Sequence, residues 1–296
     1  MPSDLWIVFA LLSAFFHAAR LSVTKYLSFD YSAQALTLYV NLASLVVTVP
    51  LIVWNHQFPV QDPRSLTAVL VGGLVSGLGA WSLNHAIKHS EVSIVGPVMT
   101  LTPAFVVLIE WVITRDLPGG VGLLGLGLLI AGSYMLSLGH RAEGWYAPLQ
   151  RLITNPGSRF TLVAAACFAL ATTLGRVAIQ LSDPLSFAVM VAMINPVILF
   201  TLFSLQDRRF YRQFSAAQIL PHWRGLLLLG LLFALMRLFD QIALSMTLAS
   251  YVMGVKRTAG IFSVLLGHFL FREHHVPSKL AGSLLMLAGV LAVMQE

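Results

Sequence analysis

Charge is what this chain has least of. Asp, Glu, Lys and Arg make up 10% of its 296 residues, where a soluble domain carries about a quarter. So few charges cannot cover a solvated surface, which excludes a soluble globular fold. The single cysteine, Cys167, can close no internal disulfide and so gives no redox compartment. No Ser-His-Asp set and no paired carboxylates stand out, and the glycine-rich stretches follow no strand. That removes the common enzyme and nucleotide-binding readings, so no catalytic residue, cofactor or resident metal is assigned. The net charge of +6 is not gathered into basic tracts, which argues against nucleic acid. No loop is long enough for a sensing or output domain, so a receptor reading has nothing to rest on. The first apolar run lacks a basic leader and continues into His17 and Arg20 without a small-residue cleavage site. It reads as a span and not as a cleaved signal.

What the chain does have is apolar length. It is 57% hydrophobic with a mean hydropathy of +0.82, in runs of bilayer-crossing size. Hydropathy and breakers predict ten spans, at 5–27, 34–54, 66–87, 93–114, 120–138, 160–180, 185–205, 224–246, 250–271 and 277–294. The expectation is an all-α, multi-pass protein of the inner membrane, with the lipid bilayer and a small-molecule solute as its partners.

The second half repeats the first. At a shift of 157, Phe105 meets Phe262, Arg115 meets Arg272, Asp116 meets Glu273, Gly125 meets Gly282 and Gly132 meets Gly289. Asn84 meets Gln241 and Ala86 meets Ala243 at the same shift, while a shift of 151 places Lys25 on Arg176 and His17 on Phe168. The expected units are 1–138 and 160–296, joined by a loop at 139–159. Five spans is an odd number, so the second half must enter the bilayer inverted, with a site where the halves meet. Ten loop Lys and Arg fall on one side and only Arg64 and Arg115 on the other. The positive-inside rule therefore places both termini outside the cytoplasm.

Six cations lie within the predicted spans: Arg20, Lys25, Arg176, Arg237, Lys256 and Arg257, opposed by Glu110 and Asp240 alone. Each charge costs about 3 kcal/mol or more on insertion scales unless it faces protein or a wet cavity. Arg237 and Asp240, three apart on one helix, read as a pair with each other. Glu110, near the end of its span, reads as reaching the interface. Lys25 and Arg176 fit either snorkelling anchors or gate cations, reached in turn from opposite faces. Lys256 and Arg257 lie deep in their span with no acid on the same helix, and Lys256 shares a face with Gly260, Ser263 and Gly267. Two carboxylates cannot balance six cations. The surplus points to a bound anion, with Lys256, Arg257, Arg176, Lys25, Arg237 and Asp240 as the candidate solute-binding residues. His85 and His89 have the spacing of metal ligands but lack further ones, and Asn41 and Asn195 read as packing residues.

The two five-span halves each close with a span, an Arg-acid turn and a glycine-spaced last helix, RDLPGGVGLLGLGLLIAGSYML and REHHVPSKLAGSLLMLAGVLAVM. In this the chain resembles the EamA-type branch of the drug/metabolite transporter superfamily over nearly its whole length. The resemblance implies a carrier of small solutes built from two inverted repeats. Val255-Lys256-Arg257 is also similar to the ninth-helix run with which plastid triose-phosphate and phosphate translocators grip phosphate. Met99 and Ala171 stand where those translocators carry further cations. The expected function is secondary transport of a small anionic or zwitterionic metabolite by alternating access. An exporter of amino acids or hydrophobic cations using Glu110 and Asp240 is the alternative.

Overall fold

The structure, a computed structural model, describes residues 5–55, 62–89, 92–138, 156–208, 210–214, 219–271 and 280–296. Among these there is no strand. The first half holds α1 (Leu5–Leu27), α2 (Ala33–Asn55), α3 (Pro63–His89), α4 (Val92–Met99), α5 (Thr102–Thr114) and α6 (Gly120–Leu138). The second holds α7 (Pro156–Gln180), α8 (Pro184–Gln206), α9 (Trp223–Met246), α10 (Ala249–Val255), α11 (Ala259–Phe271) and α12 (Leu280–Val293). Starts are locally encoded. Asp183 accepts the Leu185 and Ser186 N–H groups at 2.9 Å each and Pro184 follows it, which fixes the first turn of α8.

Among the described residues, seven stretches are long and apolar enough to cross a bilayer, and Gly120–Leu136 and Ala281–Val293 are shorter apolar helices. The protein is an all-helical multi-pass membrane protein. Its exterior is apolar, with Val46, Leu108 and Leu291 61%, 60% and 61% exposed, and its largely apolar interior also holds polar residues such as Glu110 and Gln241, at 0% and 5%. Apolar side chains face lipid, and polar ones face the bundle.

Two predicted spans are not continuous helices. The span expected at 93–114 breaks at Thr100–Leu101, between α4 and α5. The cause is Pro97 and Pro103, each without an amide hydrogen to give. Pro103 leaves the Met99 carbonyl without its helical donor, and Thr102 Oγ1 donates to it at 2.7 Å, while Thr100 Oγ1 donates to the Pro97 carbonyl at 2.6 Å. The span expected at 250–271 is broken by a 3₁₀ turn at Lys256–Thr258. Lys256 and Gly267 therefore do not lie on one unbroken α-helical stripe. The shift of 157 carries Thr100–Leu101 onto Arg257–Thr258, so the two breaks are equivalent.

The packing is two-fold. Helix α3 lies along α7 as α1 lies along α9, α5 meets α7 as α11 meets α1, and α2 pairs with α9 as α3 pairs with α8. The equivalence reaches single contacts. His17 sits on Met236, and their repeat partners Phe168 and Gly79 also touch, a Cβ on Gly79 standing 3.2 Å from the Phe168 ring.

Helices α6 and α12, counterparts in the two halves, cross backbone to backbone. A Cβ on Gly132 would stand 2.5 Å from the Gly282 carbonyl oxygen, and one on Gly125 would stand 2.9 Å from that of Gly289. Rising numbers on α6 meet falling numbers on α12, so the pair is antiparallel. Gly132→Val forces a branched side chain into that seam, at about 1–3 kcal/mol or more. Gly127, on the same helix, has open space around it. The expected result is a clear drop in detergent melting temperature for Gly132→Val and little change for Gly127→Val. Equal melting curves would contradict the seam.

Candidate functional site

Two helices bring most of the intramembrane charge together. On α1, Ser13, His17 and Arg20 recur at helical spacing, and on α9 so do Phe233, Arg237 and Asp240. The helices run antiparallel, so Ser13 faces Asp240, His17 faces Met236 and Arg20 faces Phe233. Ser13 Oγ donates to Asp240 Oδ1 at 2.5 Å. The broken arm α10–α11 adds Lys256, whose ammonium forms a salt bridge with Asp240 Oδ2. His17 Nδ1 lies 3.2 Å from Met236 Sδ and 3.4 Å from Arg20 Nη2. The 3₁₀ turn that carries Lys256 and Arg257 packs against α1.

The expected Arg237–Asp240 pair is not the one that forms. Asp240 is taken by Lys256 and Ser13, because the α1–α9 contact and the 3₁₀ turn put those donors on its two oxygens. Arg237 instead stands 5.2 Å from the centroid of the Phe233 ring, and Arg20 stands 5.5 Å from the same centroid. The two guanidinium groups are thus within about 11 Å of each other, where their repulsion is about 1.5 kcal/mol at an effective dielectric of about 20. Arg20 Nε, Arg237 Nη1 and Arg257 Nε are all buried without a hydrogen-bond partner. Such N–H groups are costly to leave unmet. Among the described residues, Asp240 is the one carboxylate in this group of four cations.

Arg176 belongs to a second cluster, about 10 Å along the arm at the start of α10. Its Nη1 donates to Glu110 Oε1 at 3.0 Å and to Asp116 Oδ2 at 2.8 Å, and its Nε donates to the Thr247 carbonyl at 3.0 Å. Glu110 is fully buried and does not reach the interface. Its oxygens accept the Ala249 and Ser250 N–H groups at 2.8 and 3.1 Å, satisfying the first turn of α10 across the halves. Arg115 ends α5 in the left-handed region at φ 63°, which turns the chain so that Asp116 reaches Arg176. That hydrogen bond holds the Asp116 carboxyl below its ordinary value, against a smaller opposing effect of burial. The tie contributes stability above the ordinary carboxylate range and loses it as pH falls through the lowered value.

The remaining candidates lie elsewhere. Lys25 is exposed in the last turn of α1. His85 stacks on Trp81 at 5.3 Å and tilts against Phe160 at 4.6 Å, while the side chain of His89 lies outside the described residues. Among the described residues, no three His, Cys, Asp or Glu side chains group as metal ligands. Asn41 Nδ2 bonds within its own helix to the Thr37 carbonyl at 2.8 Å. An apolar groove of about 620 Å³, lined by Leu42, Phe200, Trp223 and Leu227 among others, contains no charged side chain and lies apart from both clusters. Sequence reasoning had not placed Arg20, His17, Ser13 or Phe233 at the site. The signal available was the polar stripe Ser13-His17-Arg20 facing one way on an otherwise apolar helix.

Broken helices stand at equivalent points of two related halves of a multi-pass membrane protein, with buried charge between them. The EamA-like transporter family model matches residues 4–138 and 155–295, and the chain belongs to that family of membrane transporters. No curated protein matches it. A protein of known crystal structure is similar in fold, with a TM-score of 0.76, 13% sequence identity, and coverage of 98% of this chain and 97% of that one.

Proposed function

We propose that the chain is a ten-span secondary transporter that moves a small anionic or zwitterionic organic solute by alternating access between two inverted halves. The observation that carries this reading is the cation excess inside the bundle. Arg20, Arg237, Lys256 and Arg257 meet one carboxylate there, and three guanidinium groups keep a buried N–H without an acceptor. An anionic group is the ligand that completes them. The two-fold packing and the paired helix breaks support rocking of one half against the other.

In this reading Lys256 orients Asp240 and Arg257 takes the anionic group, with Arg237 beside it. Arg176, with Glu110 and Asp116, ties the halves together at one end. The excess of loop Lys and Arg on the opposite side supports a reading in which that end and both termini lie outside the cytoplasm, in the inner membrane. Lys25, the repeat counterpart of Arg176, is the entry cation at the opposite end. A cation exporter is less well supported, because both intramembrane carboxylates already face a cation.

The test is counterflow in proteoliposomes, using the acid that gives the largest thermal shift in a panel of carboxylates and phosphorylated metabolites. Arg257→Ala is expected to reduce flux to the protein-free background while the melting temperature stays within a few degrees of the parent. Full flux by Arg257→Ala, or stabilisation by amines and not by acids, would sink the assignment.

A further inference from the structure

We infer that the solute is a compact organic dianion without an ammonium group, seated between Arg257 and a clamp made by Arg20 and Arg237 about Phe233. This rests on the transport reading above and narrows it.

The site has no seat for a cation. Both oxygens of Asp240 are in use, Oδ1 by Ser13 and Oδ2 by Lys256. Glu110 is equally committed, to Arg176 and two backbone N–H groups. An ammonium group would have to share one of these carboxylates with its present partners and would enter a region already rich in positive charge. A zwitterion is therefore disfavoured.

The demand for negative charge exceeds one. Four cations face one carboxylate, an excess of three, so a monoanion leaves two charges uncompensated in a poorly solvated interior and a dianion leaves one. The unmet N–H groups are also distributed. Arg257 Nε is on the broken arm, Arg237 Nη1 on α9 and Arg20 Nε on α1. Arg20 and Arg237 both lie against the Phe233 ring, which packs on the apolar cluster around Leu229, so the ring holds two guanidinium groups where they can address the charge of one small solute. Planar guanidinium forks match carboxylate and phosphoryl oxygens alike. The shared chemistry is thus two negative charges on a small carbon skeleton, as a dicarboxylate or as a phosphate monoester.

The experiment uses the full chain, in detergent for thermal-shift titration and in proteoliposomes for counterflow. The probes are succinate, glycerol 3-phosphate, lactate and alanine. Succinate or glycerol 3-phosphate is expected to bind at least about tenfold more tightly than lactate, with no saturable shift from alanine. Which of the two prevails identifies the source of the dianion. Arg20→Gln and Arg237→Gln are each expected to weaken the dianion by about tenfold while moving lactate by less than about threefold. Arg20→Lys and Arg237→Lys keep the charge and lose the fork, and serve if the Gln variants do not fold. The charge inference is overturned if lactate or alanine binds as well as the dianions, or if dianion affinity is unchanged in the Arg20 and Arg237 variants. If none of the four probes shifts the protein or moves across the bilayer, the transport reading of this site fails with it.

Discussion

Arg176→Met is expected to destabilise the protein by about 3–5 kcal/mol, the cost of leaving a buried charge without its partner. Glu110 is 0% exposed and, among the described residues, Arg176 is the cation bridged to it, so removing the guanidinium strands an ionised carboxylate inside the bundle. The two backbone N–H groups of α10 still bond to Glu110, which limits the loss but does not balance its charge. The same substitution frees Asp116 and the Thr247 carbonyl, so three segments lose a tie at once. The checking measurement is a double-mutant cycle on melting temperature with Glu110→Gln. The double variant should be more stable than Arg176→Met alone, because a neutral amide needs no counter-charge. A melting temperature for Arg176→Met equal to that of Arg64→Met, at an exposed site, would mean the cluster carries no stability.

The second expected result separates the members of a pair that look equivalent. Asp240→Asn should destabilise strongly, by about 3–5 kcal/mol, while Lys256→Met should cost markedly less. In Lys256→Met the orphaned Asp240 keeps Ser13 and lies three residues from Arg237, one of three guanidinium groups with an unmet N–H, so it is readily repartnered. In Asp240→Asn, Lys256 loses its carboxylate among three arginines and nothing nearby can replace it. An isolated buried ion pair would give similar losses on either side. Unequal melting temperatures with Asp240→Asn the lower support the cationic cluster. Equal values, or the reverse order, would mean that Arg20, Arg237 and Arg257 do not act on this pair.

Much of this architecture was legible in the sequence, for identifiable reasons. The glycines at 125, 132, 282 and 289 could be read because close helix contact inside a membrane needs small residues, and the shift of 157 aligned them. The paired glycine contacts then follow the same exchange. The break at Thr100 had a visible cause in Pro97 and Pro103, although hydropathy ran through it. The break at Lys256–Thr258 contains no proline and is set by its surroundings. Pairing was the least legible property. Spacing along one helix favoured Arg237 for Asp240, yet the partner is Lys256, 16 residues away, delivered by the turn between α10 and α11. Glu110 was placed at the interface from its position near a span end, when it is the buried counter-charge of the other half. Depth in a span does not say which neighbouring helix a charge will face.

The crossing of α6 and α12 has one more consequence. At Gly125–Gly289 and Gly132–Gly282 peptide groups meet directly, with Leu129, Met286 and Val293 packed around them, and exchanging the two halves maps the contact onto itself. The four glycines bring no rotamers of their own to repack at the crossing. In the proposed rocking of the halves it is the axle about which the rest of the bundle turns. Spin labels flanking Gly125 and Gly289 should then report one unchanged distance, while labels on the helix ends near Arg176 and Lys25 report two.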